Sequence, residues 1–238
     1  MIKKQAICII LILTFIASII NFALTAYLLS TTISKRDSGV FFKVQNSVVE
    51  VKAETNTVGT SYGSGVVVNK NGTIVTNAHV VTYSDFGETT VFETIYIRLI
   101  DEEDYRSVEI VKYDVNLDIA VLKLNCERQL TPIKIGNDLN LDYGQKVFAI
   151  GNMSNYGISI TNGIVAIPHI NVAYNNNTRN VIQCDLTISD GNSGGALVDA
   201  KGRLVGITTF RLKDQSNNII YGISYCIPIN AVMEYITK

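Results

Sequence analysis

Two kinds of hydrophobic pattern run along the chain. Residues 5–29, QAICIILILTFIASIINFALTAYLL, carry no charged side chain and are long enough as a helix to cross a bilayer core of about 30 Å. Beyond them the apolar residues come in short β-branched runs cut by Asn, Gly, Asp and Ser: SVVEVKA, SGVVVN, TIVT, VFETIYIRLI, SVEIVKY and DIAVLKL, then KVFAIGN, ISITNGIVAI, NVIQCDL, GALVDA, RLVGITTF and IIYGISYCI. These read as strands in two groups of about six. NKNG (69–72) and DAKG (199–202) supply the Asn, Asp and Gly of tight hairpins, so neighbouring strands should pair antiparallel. The connector at residues 136–145 divides the strands nearly equally. The expected fold is all-β, two six-stranded antiparallel barrels with boundaries near 40–140 and 141–238, and a cleft between them as the natural site.

Lys3, Lys4 and the amino terminus precede the span, and Lys35, Arg36 and Asp37 follow it. The positive-inside rule then puts residues 1–4 in the cytoplasm, residues 5–29 across the membrane and the rest outside, after a polar tether at 30–39. A cleaved signal peptide competes with this reading, but it calls for an apolar region of roughly 7 to 15 residues ending at an A-x-A-like site, which is missing here. At the other end, Asn230 is expected to cap a short amphipathic helix carrying Val232, Met233, Tyr235 and Ile236. YNNNTRN, at 174–180, reads as a polar loop.

Charge and cysteine usage narrow the function classes. Lys and Arg number 20 against 21 Asp and Glu, a net charge of −1, so no basic face is available for a nucleic-acid partner. Cys126, Cys184 and Cys226 sit among apolar neighbours, lack any C-x-x-C spacing and read as small buried hydrophobes. With only His79 and His169 as imidazoles, a metal site would need scattered ligands to converge. No metal and no cofactor are expected.

Three segments carry candidate chemistry. In TNAHVV, His79 leaves an apolar strand; in NLDIAVLKL, Asp118 opens one; in DGNSGGALVD, Ser193 stands between an asparagine and two glycines. Singly, each has a plainer explanation: a satisfied structural histidine, a strand-edge acceptor, a turn serine. Together they give base, orienter and nucleophile in the order His, Asp, Ser, a recurring chain order for a catalytic triad. A serine hydroxyl is a poor nucleophile near neutral pH and needs a base in hydrogen-bond reach, and a carboxylate on the other ring nitrogen fixes the tautomer of that base. Glycine on both sides lets the backbone fold into a cup. The N–H groups of Gly191 and Ser193 are the expected oxyanion donors, each worth roughly 3 kcal/mol.

With these blocks, and with VFAIGN, TNGIVA, Asp185 and YGISYCIPIN in order around them, residues 47–230 resemble HtrA-type proteases of the chymotrypsin-like serine protease superfamily. The resemblance implies a chymotrypsin-like fold, serine endopeptidase activity on polypeptides, unfolded ones included, and His79, Asp118 and Ser193 as the triad. It also implies that Thr187 lies at the base of the pocket for the side chain before the scissile bond, where no acid is present to pair with Lys or Arg. Thr208 stands where glutamate-specific relatives carry a histidine. A small or medium aliphatic preference follows, with Ile207, Thr208 and Thr209 pairing with substrate backbone as an added strand. Many relatives form trimers through N-terminal segments, so a homo-oligomer is expected. Phe41 and Phe42 are either such a contact or core.

Departures from the family pattern qualify this picture. The chain ends soon after the second barrel, so regulation through a following PDZ domain is not expected. Asp190 stands where many members have a basic residue. Asn192 replaces the aspartate that pairs with a newly cut N-terminus in digestive relatives. A catalytically silent peptide-binding or chaperone module is the alternative within the same fold, and a plain scaffold is a third.

Overall fold

The computed structural model describes residues 2–153, 156–174, 177–213 and 219–238, and divides into two compact units, Met1–Val40 and Phe41–Lys238. Helix α1 (Ile2–Val44) runs without a break, so the polar stretch at 30–39, expected to be a short tether, is helical. Within α1 the segment Ile10–Leu29 is long and apolar enough to cross a membrane, which fits a single-pass anchor. The strand-rich unit follows.

Its first half contains β1 (Val48–Thr55), β2 (Gly59–Val67), β3 (Thr73–Thr76), the one-turn helix α2 (Ala78–Val81), β4 (Thr82–Asp85), β5 (Glu88–Val91), β6 (Thr94–Leu99), β7 (Arg106–Ser107), β8 (Glu109–Asp114) and β9 (Ile119–Lys123). The main sheet has the order β7-β6-β1-β2-β3-β9-β8. It is a half-barrel rather than the closed six-stranded barrel expected. Its two edge strands are consecutive in the chain, and between them Val108 donates its N–H to Ile95 O at 3.0 Å. β4 and β5 form a separate hairpin that the sequence did not announce. At its tip Phe86 and Gly87 have φ of +47° and +89°, as a two-residue primed turn requires. Phe86 is fully exposed there.

The second half contains β10 (Lys134–Ile135), β11 (Lys146–Asn152), β12 (Ile158–Tyr174), β13 (Asn177–Asp185), β14 (Ala196–Asp199), β15 (Arg203–Lys213), β16 (Ile219–Pro228) and the helix α3 (Ile229–Thr237). β15-β14-β11-β12-β13-β16 close into a six-stranded barrel through a β15–β16 pairing, with β10 added on the outside. YNNNTRN is therefore mostly strand: Tyr174 pairs with Asn177 and Val172 with Arg179, while residues 175 and 176 lie outside the described set. α3 begins two residues earlier than expected. Pro228 precedes it, and Asn230, inside the first turn, has its N–H satisfied by Asp138 Oδ1 at 2.7 Å.

Each half has its own apolar core. Val49, Val51, Ala53, Ile74 and Leu122 fill the first, and Val147, Ala149, Val165, Ile182 and Leu197 fill the second. Burial alternates along β6, as a sheet packed on one face demands, whereas β9, β11 and β14 are buried on both faces. β1 carries a charge on its second buried face, where Glu50 is only 5% exposed. The carboxylate accepts from Arg98 Nη2 at 2.8 Å, Tyr105 Oη at 3.1 Å and Asn152 Nδ2 at 3.2 Å. Burial and the Glu50 charge push the Tyr105 phenol up to about 12. Because Asn152 ends β11, this buried cluster ties the two halves together. Cys184 and Cys226 are buried in the second core. A hydrogen bond from Cys184 and burial push the Cys226 thiol well up, so it is not a ready nucleophile. Cys126 differs from expectation: it is only partly buried and lies outside any strand.

Candidate active site

His79 sits in α2, directly after β3, and Asp118 ends the turn that leads into β9, the strand paired with β3. Strand pairing therefore sets the two residues side by side. His79 Nδ1 lies 2.9 Å from both Asp118 oxygens, and the His79 backbone N–H donates to Oδ1 at 3.1 Å. A carboxylate only accepts, so Nδ1 carries the proton and Nε2 keeps its lone pair. The His79 side chain is 48% exposed and that of Asp118 only 5%. Burial alone would push the Asp118 carboxyl up, but the His79 hydrogen bond and charge, the Thr209 hydroxyl and the His79 amide together pull it below its usual value. The result is a buried carboxylate that stays ionised behind a half-exposed imidazole.

Asp118 has φ of +59°, a left-handed conformation that costs a non-glycine residue about 1 kcal/mol or more. Neighbours hold it there. Asp114 Oδ1 accepts the N–H groups of Asn116 and Leu117 at 2.8 and 2.9 Å. Buried Asn77 donates its side-chain N–H to Asp118 O at 2.9 Å.

Ser193 lies in the loop between β13 and β14. Gly194 has φ of +84°, and a Cβ there would come within 2.1 Å of Ser64 O and 2.3 Å of Thr76 Oγ1, so no side chain fits. Gly191, at φ +91°, turns the chain just before the serine. Asn192 N–H donates to Ser189 O, Gly194 N–H to Thr208 O and Gly195 N–H to Asn192 O, whereas the N–H groups of Gly191 and Ser193 make no hydrogen bond among the described residues. Two donors in one tight loop are thus left for a ligand oxygen.

The serine hydroxyl is not turned to the imidazole. Ser193 Oγ donates to Thr209 O at 2.8 Å, and no hydrogen bond joins it to His79. Thr209 bridges the pair, since its own hydroxyl donates to Asp118 Oδ2 at 2.5 Å. Catalytic hydrogen bonds are often long or misaligned without substrate.

The residues expected to contact substrate are placed less simply. Thr187 is exposed, and its carbonyl accepts from Thr161 Oγ1 at 3.0 Å; its neighbour Ile188 is buried, at 4%. Ile207 is fully buried and paired on both sides, with Ala196 and Ile227. Thr208 gives its N–H to Gly195 O and takes Gly194 N–H on its own carbonyl. Neither Ile207 nor Thr208 offers a free backbone edge. Pairing with β14 stops at Ile207, and from Thr209 onward β15 pairs only with β16.

Two cross-half contacts were not visible in the motifs. Ser64, buried on β2, donates its hydroxyl to Gly191 O at 2.7 Å, accepts Asn152 N–H at 2.8 Å, and gives its own N–H to Ser193 O at 2.8 Å. Arg179, on β13, reaches the Asp118 turn of the first half. Both partners are far away in sequence, so no local pattern points to them, although GSG ahead of an apolar strand marks Ser64 as a close-approach position. Among the described residues no group of three His, Cys, Asp or Glu side chains is placed to share a metal.

Comparison with known proteins agrees with this architecture. Residues 63–207 match the trypsin-like peptidase domain family. A probable periplasmic serine endoprotease, DegP-like, of Buchnera aphidicola is 41% identical over 74% of this chain and 36% of its own length. The serine endoprotease DegS of Haemophilus influenzae is 34% identical over 74% of the chain and 49% of its own. Protease Do-like 5, chloroplastic, of Arabidopsis thaliana is 32% identical over 84% of the chain and 68% of its own. Among solved structures, the HtrA-type protease AlgW with tripeptide superposes with a TM-score of 0.73 at 29% identity, over 84% of this chain and 62% of that one. The chain spans only part of most of these relatives, and with a matching family domain over most of its strand-rich unit it belongs to the trypsin-like peptidase family, among the HtrA-type proteases.

Proposed function

We propose that the chain is a serine endopeptidase of extracytoplasmic protein quality control, held at the membrane by α1. The observation that carries the reading is the linked set His79, Asp118, Thr209 and Ser193 beside two unengaged N–H groups. As Ser193 Oγ attacks a peptide carbonyl, its proton passes to His79 Nε2. Asp118 stabilises the imidazolium, and Gly191 and Ser193 N–H hold the carbonyl oxygen as it becomes an oxyanion. Collapse breaks the C–N bond, the imidazolium protonates the leaving amine, and water then attacks the acyl-enzyme with the same base. A substrate strand added along β15 from Thr209 would present extended polypeptide to this loop. Thr187, at the position that the family resemblance assigns to the pocket for the residue before the cleaved bond, is not an acid, which supports a small or medium aliphatic residue there over Lys or Arg.

Ser193 Oγ resting on Thr209 O favours a second reading, a silent peptide-binding module of the same fold. A fluorophosphonate probe separates the two. The enzyme reading predicts labelling of the wild type, loss of labelling in Ser193→Ala, and loss of peptide hydrolysis by about 10⁶-fold in kcat. Peptide binding with no labelling would establish the module instead.

A further inference from the structure

The turn that carries Asp118 has its donors and acceptors satisfied from opposite sides. Its N–H groups, those of Asn116 and Leu117, go to Asp114 within the turn. Two of its carbonyls go to the second half of the molecule: Arg179 Nε donates to Asn116 O and Nη2 to Val115 O, both at 2.7 Å. The third nitrogen, Nη1, lies 3.7 Å from Asp118 Oδ2. The guanidinium is nine-tenths buried. Its planar fork matches two successive carbonyls in a way that a lysine ammonium cannot.

We propose that Arg179 is a positioning residue for the triad: by clamping the 114–118 turn from β13 it keeps Asp118 in its left-handed conformation, aimed at His79 Nδ1. The inference rests on the reading of His79, Asp118 and Ser193 given above. The geometry favours this role over substrate contact. A cavity of about 170 Å³ lined by His79, Tyr83, Val115, Asp118 and Arg179, among others, adjoins the clamp, but two guanidinium nitrogens are spent on the turn. Asp118 depends on that clamp because its backbone conformation is one that asparagine and aspartate tolerate but do not seek. An imidazole displaced by an ångström loses much of its rate, on the order of 100-fold.

The test uses the full chain with Arg179→Met, which keeps the apolar stem and removes the fork, and Arg179→Lys, which keeps the charge and one donor. Active sites are counted by fluorophosphonate titration, so that kcat is read per competent site and partial misfolding does not enter. The expected result is a fall in kcat of about 10-fold or more for Arg179→Met with KM within about 2-fold, and partial recovery in Arg179→Lys. A crystal structure of Arg179→Met, which needs no activity, is expected to show Asp118 displaced from His79 Nδ1. The proposal is overturned if Asp118 keeps its φ and its 2.9 Å contacts in that structure, or if kcat per site is unchanged. It is also overturned if KM alone rises, which would make Arg179 a substrate contact. A wild type that takes no probe would sink the protease reading while leaving the structural arm of the test decisive.

Discussion

The half-barrel holds its candidate chemistry on a one-turn helix and a strained turn, while the closed barrel holds its own on a glycine-walled loop. In the first half, His79 and Asp118 touch directly and are set by the β3–β9 pairing. In the second, Ser193 is bonded not to the histidine but to Thr209 O. Each arrangement is braced by a side chain from the opposite half: Ser64 of β2 bonds the Gly191 carbonyl, and Arg179 of β13 bonds the turn before Asp118. The imidazole and carboxylate meet through local strand pairing and the serine is set by a tight glycine turn, and both depend on docking between the halves for their bracing.

Substitutions can break this comparison at graded points. The largest effect is expected for Asp118→Asn, which replaces one carboxylate oxygen with an amide donor, favours the wrong tautomer of His79 and should lower kcat by about 10⁴-fold. The same variant reports on acid stability. Asp118 titrates below its usual value in the folded chain, so its stabilising contribution is present above the ordinary carboxylate range and is lost as pH falls through that lowered value. Urea unfolding of wild type and Asp118→Asn should thus differ more at neutral pH than in strong acid. A gap that widens on acidification would mean that the carboxylate is not stabilised by its partners.

Ser64→Ala should come next. It leaves the Gly191 carbonyl and the Asn152 N–H buried without their hydroxyl partner, a loss of about 1–3 kcal/mol of stability. With it should go about 10-fold of kcat at nearly constant KM, because the loop presenting the oxyanion donors loosens. An unchanged kcat would show that the nucleophile loop is rigid on its own. The smallest effect is expected far from the cleft, at the β4–β5 tip: Phe86→Asn places a residue tolerant of positive φ at an exposed position and should raise stability by up to about 1 kcal/mol without altering activity. A loss of activity there would bring the hairpin into substrate binding.

The sequence disclosed the parts of the site that are local. TNAHVV, DIAVLKL and GNSGG each keep their chemistry within a few residues, and the strand alternation around them delivered most of the two sheets. What remained hidden was what distance in the chain conceals. Arg179 sits in an asparagine-rich run whose polarity reads as a loop, and only strand pairing with Val172 and contact with carbonyls more than sixty residues away reveal its position. Ile207 and Thr208 are substrate contacts by family resemblance alone, and a motif does not report what the fold adds, that their backbones pair with Ala196, Gly194 and Gly195. The hairpin at β4–β5 escaped because its turn places phenylalanine where asparagine or aspartate is usual. Residues 30–39 looked like a tether because composition reports polarity and not whether a helix continues through it.

The central claim is that the Ser193 hydroxyl, resting on Thr209 O, swings to His79 and works against the Gly191 and Ser193 N–H groups. The most direct measurement is a crystal structure of the chain after reaction with a fluorophosphonate. The account predicts phosphorus bonded to Ser193 Oγ, a phosphoryl oxygen within hydrogen-bond distance of both N–H groups, and His79 Nε2 facing the adduct with Nδ1 still on Asp118. An unmodified Ser193 still bonded to Thr209, or an adduct whose oxygen points away from the two donors, would contradict it.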